Sequence, residues 1–194
     1  MNIELMLDEW VQENTKILDL GCGDGTILSN LKVSKNIKGF GIEIDRKNIQ
    51  KCLEKGINII EHNIDAGLKN ISANSFDMVI MSQTIQTLKN PSLALEEITR
   101  VGKRCVVTIP NFGHWKARLA LLVRGKMPVT KSLSESWYQT QNIHLCTIKD
   151  FENLCSELSI SIEERKFLNS KGNTGFHSIW ANLFSSYAIY KIYK

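Results

Sequence analysis

Residues 17–25 read Ile17-Leu18-Asp19-Leu20-Gly21-Cys22-Gly23-Asp24-Gly25, and no other stretch limits the fold as tightly. Apolar residues run into an acidic Asp19, three glycines follow at alternate positions, and Thr26-Ile27-Leu28 starts a helix-like pattern. The reading is a buried strand, a tight turn and a helix. Glycine in such a turn permits positive φ and lets a ligand approach the main chain. The helix start offers N–H groups without intrahelical partners. The unit reads as a cofactor cradle.

Around it, strand and helix patterns alternate. Ile3, Leu5, Met6, Leu7, Trp10 and Val11 have the spacing of an amphipathic first helix. Strands are expected at 17–20, 37–44, 57–60, 76–81 and 105–109, and helices at 26–33, 46–55 and 91–100. The unbroken apolar run 76–81 marks a parallel strand buried on both faces. Gly56 ends one helix and Pro91-Ser92 opens the next. This alternation predicts a parallel sheet wrapped by helices. Farther on, 115–123 reads as a helix, 125–141 as a long polar loop around Pro128, and Thr147 with Asp150 as a capping pair. Residues 160–168 and 188–193 read as strands pairing antiparallel at the far side of the sheet, joined by a loop containing Gly and Asn. The 194 residues, 43% hydrophobic and 23% charged, suit one domain, 1–194, without repeats or linkers.

A net charge of +4 is too mild to imply nucleic acid. Cys22, Cys52, Cys105, Cys146 and Cys155 are odd in number and form no C-x-x-C pair, so neither a metal site nor a disulfide framework is expected. A reduced cytoplasmic setting fits. The start carries Glu4, Asp8 and Glu9 and does not read as a signal peptide. No apolar run is long enough for a bilayer.

Two cofactor classes use a glycine turn after a first strand. The dinucleotide fingerprint G-x-G-x-x-G sets a pyrophosphate on the helix start. Here the third glycine comes one residue early, and Asp19 and Asp24 would repel a diphosphate in a low-dielectric cleft. S-adenosylmethionine (SAM) has no phosphate and carries an ammonium and a sulfonium, which carboxylates favour. Asp19 could accept from the ammonium, directly or through water; Asp24 reads equally as a helix N-cap. Glu43 closes the second strand about 20 residues after the turn, where a ribose-binding acid is expected. A carboxylate there can accept from both ribose hydroxyls. After the third strand, the Asn63 amide could accept from the adenine amino group and donate to a ring nitrogen, with Ile64 against the ring. His62 reads as an ordinary loop histidine.

These residues, with the Phe76-Asp77-Met78-Val79-Ile80 strand, resemble the class I SAM-dependent methyltransferases. A narrower likeness runs through nearly the whole chain. Ser82-Gln83-Thr84-Ile85-Gln86, Arg100-Val101-Gly102, Pro110-Asn111-Phe112-Gly113-His114-Trp115 and Gly125-Lys126-Met127-Pro128 resemble the MetW family of methionine-biosynthesis proteins. So do Trp137-Tyr138 and Asn142-Ile143-His144-Leu145-Cys146-Thr147. The resemblance implies an α/β Rossmann-like class I methyltransferase fold: a mostly parallel seven-stranded sheet, an antiparallel last strand, and helices on both faces. It also implies a role in methionine synthesis beside homoserine O-acyltransferase. The family usually has Gly-Asp where this chain has His62-Asn63; an amide can still serve the adenine edge. The expected binding positions for SAM or S-adenosylhomocysteine are Asp19, Gly21, Cys22, Gly23, Gly25, Glu43, Ile44, Asn63, Ile64 and Ser82.

Methyl transfer to a poor nucleophile needs a general base. His114 after the fifth strand is the candidate, with Trp115, Trp137, Tyr138 and His144 as pocket walls; the alternative makes His114 a helix cap and the tryptophans core or interface residues. The amino-methyltransferase motif Asn/Asp-Pro-Pro-aromatic is absent. Between Glu97 and Glu135 there is no acidic residue, but Arg100, Lys103, Arg104, Lys116, Arg118, Arg124, Lys126 and Lys131 occur there, as does the run Leu119-Ala120-Leu121-Leu122-Val123. A helix apolar nearly all round is either buried or docks something. Two functions are open: a SAM-binding protein that assists or regulates the acyltransferase, and a methyltransferase acting on a small metabolite or protein. The acidic turn disfavours a dehydrogenase.

Overall fold

The computed structural model describes residues 3–130, 133–169 and 178–194. Met1, Asn2, Lys131, Ser132, residues 170–177 and the side chains of Ile3, Glu4, Leu5, Ser178 and Ile179 lie outside the described residues. Five strands come first: β1 (Lys16–Leu20), β2 (Lys38–Glu43), β3 (Asn58–Glu61), β4 (Phe76–Ser82) and β5 (Gly102–Pro110). They alternate with α1 (Ile3–Trp10), α2 (Thr26–Lys35), α3 (Arg46–Glu54) and α4 (Pro91–Val101). Then come α5 (Trp115–Arg124), α6 (Ile148–Glu157), β6 (Ser161–Leu168), α7 (Ser178–Phe184) and β7 (Tyr187–Tyr193). All seven strands form one sheet in the order β3-β2-β1-β4-β5-β7-β6. The first five run parallel; β7 lies antiparallel between β5 and β6. The chain winds outward from β1 to β3, then returns to β4 on the other side of β1. That reversal opens a crevice at the carboxyl ends of β1 and β4, where open α/β sheets bind ligands.

Alternate residues along β1 serve opposite faces. Leu18 and Leu20 join Leu95 and Ile98 of α4 and Phe151 and Cys155 of α6 in one core. Ile17 joins Leu7 and Trp10 of α1, Leu28 and Leu31 of α2, and Cys52 of α3 in the other. Burying each large aliphatic side chain stabilises the fold by about 1.5–3 kcal/mol. The helices that cover both faces therefore follow from strands apolar on both sides. The capping pair forms: the Thr147 N–H donates to the Asp150 carboxylate at 2.9 Å, and the Asp150 N–H to the Thr147 hydroxyl at 3.3 Å.

Three features differ from the sequence reading. β5 begins at Gly102 rather than Cys105, its exposed start held by ion pairs of Lys103 with Asp77 and Arg104 with Glu163. Residues 178–184, expected as part of the joining loop, form α7, too short for a periodic signal and held from outside. The buried Asn111 amide donates to the Asn182 and Ser185 carbonyls at 3.1 and 2.8 Å, satisfying the helix end. Finally, of the two readings open for 115–123, a buried helix or one that docks something, the structure overturns the buried one. Ala117 is the buried residue of α5, while Leu119, Leu121, Leu122 and Val123 are exposed.

Candidate functional site

The turn between β1 and α2 needs glycine for two different reasons. Gly21 (φ 69°) lies so close to Thr84 that an added Cβ would sit 2.6 Å from its hydroxyl. Gly23 (φ 55°) has nothing within 4 Å of that position, so the main chain is bare there. Five donors in and just after the turn are spent within the protein. The Gly21 and Cys22 N–H groups donate to the Ile42 carbonyl at 2.8 and 3.2 Å, and the Gly25 N–H to the Cys22 carbonyl at 3.0 Å. The Gly23 N–H donates to Glu43 Oε2 at 2.9 Å, and the Thr26 N–H to Asp24 Oδ1 at 3.1 Å. Of the helix-start donors expected to be free, the Thr26 N–H is thus taken, as are those of Gly21, Cys22, Gly23 and Gly25 in the turn before it.

A cavity of about 460 Å³ lies at the carboxyl ends of β1 to β4. Gly21, Glu43, Ile44, Asn63, Ile64 and Ser82 line it, six of the ten expected binding positions brought together from four parts of the chain. Asp19, Cys22, Gly23 and Gly25 are not among its lining residues. Asp19 lies at the end of β1, only 1% exposed, and neither carboxylate oxygen has a hydrogen-bond partner among the described residues. Burial, reinforced by the Glu43 charge, pushes its carboxyl up to about 7. A buried carboxylate without partners is costly, which is why this group holds its proton to a higher pH than a free one. Cys22 packs inward, its sulfur 3.8 Å from that of Cys52, and burial holds its thiol far above the usual range. Gly25 precedes α2, where a side chain would meet the Cys52 sulfur at 2.9 Å.

Asp24 does not face the cleft as a second carboxylate. It pairs with Lys55 at 2.8 Å and accepts from the Thr26 hydroxyl at 2.9 Å; together these hold its carboxyl down to about 2. The N-cap residue of α2 is Gly25, one position later, although Asp24 does take the Thr26 N–H. The negative charge at the turn therefore comes from Asp19 and Glu43.

Glu43 Oε1 accepts the N–H groups of Ile44 and Asp45 at 2.8 and 3.0 Å, and Oε2 that of Gly23. Of roughly four lone-pair directions on a carboxylate, about three are filled. Accepting from two ribose hydroxyls at once requires Glu43 to release one of these bonds. Asn63 Oδ1 accepts the Asp65 N–H at 3.0 Å, which caps a short 3₁₀ turn, so its NH₂ group is the better placed half of the amide for a ligand. His62 is tied at 2.8 Å to the Gly67 carbonyl and also lines the cavity.

Sequence reasoning missed Asp45, Asn48, Thr87, Leu88 and Gln141, and did not assign His62, Gln83 or Thr84 to the cavity, all of which line it. Asn48 follows from α3 beginning immediately after Glu43-Ile44-Asp45. Gln141 arrives from the long loop, and no local pattern announces it. The family-specific strings meet nearby. The Ile143 and His144 N–H groups both donate to the Gln86 carbonyl at 3.0 Å, and the Phe112 N–H to the Cys146 carbonyl at 3.0 Å. His114 is the N-cap of α5: its Nδ1 accepts the Lys116 N–H at 3.2 Å, and burial with the Lys116 charge lowers its pKa. It is not a lining residue of the cavity, nor are Trp115, Trp137, Tyr138 or His144. Among the described residues no group of three His, Cys, Asp or Glu side chains is arranged to hold a metal, and no helix is long and apolar enough to cross a membrane.

The sheet order and the crevice over β1 define a class I SAM-dependent methyltransferase fold. A SAM-dependent methyltransferase from Mesorhizobium loti superposes with a TM-score of 0.71 at 14% identity, covering 98% of this chain and 96% of that one. A Thermotoga maritima SAM-dependent methyltransferase, possibly a histamine N-methyltransferase, gives 0.65 at 18% identity, with 98% and 87% covered. Residues 3–192 match the family model for the methionine biosynthesis protein MetW, and the chain belongs to that family. The bifunctional methionine biosynthesis protein MetXA/MetW of Rhodopirellula baltica is 28% identical over 168 residues, 82% of this chain. The match spans 27% of that longer protein.

Proposed function

We propose that this protein binds SAM at the β1–β4 crevice and, in methionine biosynthesis, assists or regulates homoserine O-acyltransferase. The observation that carries the cofactor reading is Asp19, a buried carboxylate without hydrogen-bond partners among the described residues, beside a turn in which the Gly21, Cys22, Gly23 and Gly25 N–H groups are already used. Such a centre favours an ammonium and a sulfonium and offers little to a diphosphate. In this reading Asp19 attracts the ammonium through water or a small local shift, and Glu43 accepts from the ribose. The Asn63 NH₂ group donates to the adenine edge, Ile44 and Ile64 cover the ring, and Ser82 faces the methionyl part. Gly21, Cys22, Gly23 and Gly25 shape the turn that holds these groups. The five free cysteines suit a reduced, cytoplasmic site of action.

The partner reading draws on family membership and on the R. baltica relative, whose name joins MetXA and MetW in one protein. Regulation requires SAM to bind free and partnered protein with different affinity. Calorimetric titration of SAM, with and without the acyltransferase, tests both parts. Equal affinities would remove regulation; failure to co-purify would remove the partnership; micromolar NADH binding would remove the cofactor assignment. The rival reading, catalytic methyl transfer, is favoured by the shared fold of solved SAM-dependent methyltransferases. It predicts S-adenosylhomocysteine formation above the buffer rate when cell extract supplies acceptors.

A further inference from the structure

α5 buries little against the body: Ala117 is its buried residue, and the Arg118 guanidinium turns back to the Gly113 carbonyl just before the helix at 2.7 Å. Outward, Leu122 is 84% exposed and Val123 70%. Trp115, Leu119 and Val123 share one face by helical spacing, and with Met127 and Val129 they line a groove of about 680 Å³. Lys116, Arg124 and Lys126 line the same groove. No Asp or Glu stands between Glu97 and Glu135, and among the described residues these three cations make no ion pair. α5 leaves β5 at its carboxyl end, the end of the sheet that carries the cofactor cavity.

A contiguous apolar surface of this kind marks an interaction site. Cations around it without carboxylate partners select a counter-surface that supplies carboxylates. A helix-in-groove contact satisfies both requirements. We infer that the α5 groove docks an apolar helix or ridge bordered by Asp and Glu on a protein partner. The partner is the homoserine O-acyltransferase of the preceding section, and that identification rests on the reading given there. Trp115, Leu119 and Val123 meet the apolar ridge, and Lys116, Arg124 and Lys126 meet its acidic border.

Calorimetry of the full chain with purified homoserine O-acyltransferase tests this, comparing wild type with Val123→Asp and with the double variant Arg124→Glu, Lys126→Glu. Unchanged circular dichroism and SAM affinity establish that each variant is folded. Both variants should weaken association at least about tenfold, and salt from about 0.05 to about 0.5 M should weaken the wild type more than the charge-reversed protein. If wild type binds and both variants bind equally well, the groove is not the docking surface while the partnership stands. If wild type does not bind, the partnership reading fails and this one with it. Two further results overturn it: wild type but not Val123→Asp binding phosphatidylserine vesicles in place of the acyltransferase, or a homodimer, lost in Val123→Asp, that excludes the acyltransferase.

Discussion

Asn in place of Asp19 should make the ligand-free protein more stable at pH 8 and less able to bind SAM. Burial lifts this carboxyl from 3.8 to about 7 in the folded chain. Between those values the folded state holds a proton that the unfolded state has lost. An acid with a raised folded pKa contributes its full stability below pH 3.8, and that contribution drains away as the pH rises towards 7. Each pH unit in this window costs about 1.4 kcal/mol, so by pH 8 the ionised group has cost up to about 4 kcal/mol. Asn keeps the shape and never ionises. Asp19→Asn should therefore gain up to about 4 kcal/mol over wild type at pH 8, on the order of 10 °C in Tm, with the gap closing toward pH 4. Urea unfolding from pH 4 to pH 8 without ligand is the assay. Parallel pH profiles for the two proteins would show that Asp19 is not the titrating group. A wild-type SAM affinity in Asp19→Asn would show that its charge is not what draws the cation. Higher stability with lower affinity in one variant is the signature of a site destabilised for function.

Other outcomes follow from the same geometry. Glu43→Ala removes a carboxylate that accepts three backbone N–H groups. It should weaken SAM binding by about one to two decades, from roughly 1.5–3 kcal/mol per charge-assisted bond, and lower stability as well. Glu43→Gln should recover part of the stability and little of the affinity, as titration calorimetry and thermal melts would report. Gly23→Val should abolish binding, because a branched side chain at φ 55° fills the bare space above the turn. Asn111→Leu leaves the Asn182 and Ser185 carbonyls unpartnered and should cost about 1–3 kcal/mol, with hydrogen exchange accelerated first in α7.

Much of the fold was legible because its signals are local. The glycine turn after an apolar strand, the alternation of strand and helix patterns, and the Thr147–Asp150 cap each depend on residues a few positions apart. Residue type also marked Glu43, Asn63 and Ile64 by their position after strand ends, and all three line the cavity. Their hydrogen bonds could not be read this way. Glu43 bonds back to its own turn, and Asn63 spends its carbonyl on a 3₁₀ cap. Asp24 appeared to be one of two cleft carboxylates until Lys55, 31 residues away, claimed it. The apolar run of α5 fitted a buried helix as well as an exposed one, since periodicity does not say whether another element covers the face.

The sequence by itself determined the order of elements, the positive-φ turn and the acidic character of the crevice, because those follow from chain stereochemistry over a few residues. Only the tertiary structure decided that Asp19 lacks hydrogen-bond partners among the described residues, that Asp24 is paired with Lys55, that Gln141 reaches the cavity and that no described residue covers the outer face of α5. Each of these depends on what a distant segment brings alongside. The energy of a charge or an apolar face is set by its surroundings, and those exist only once the chain has folded.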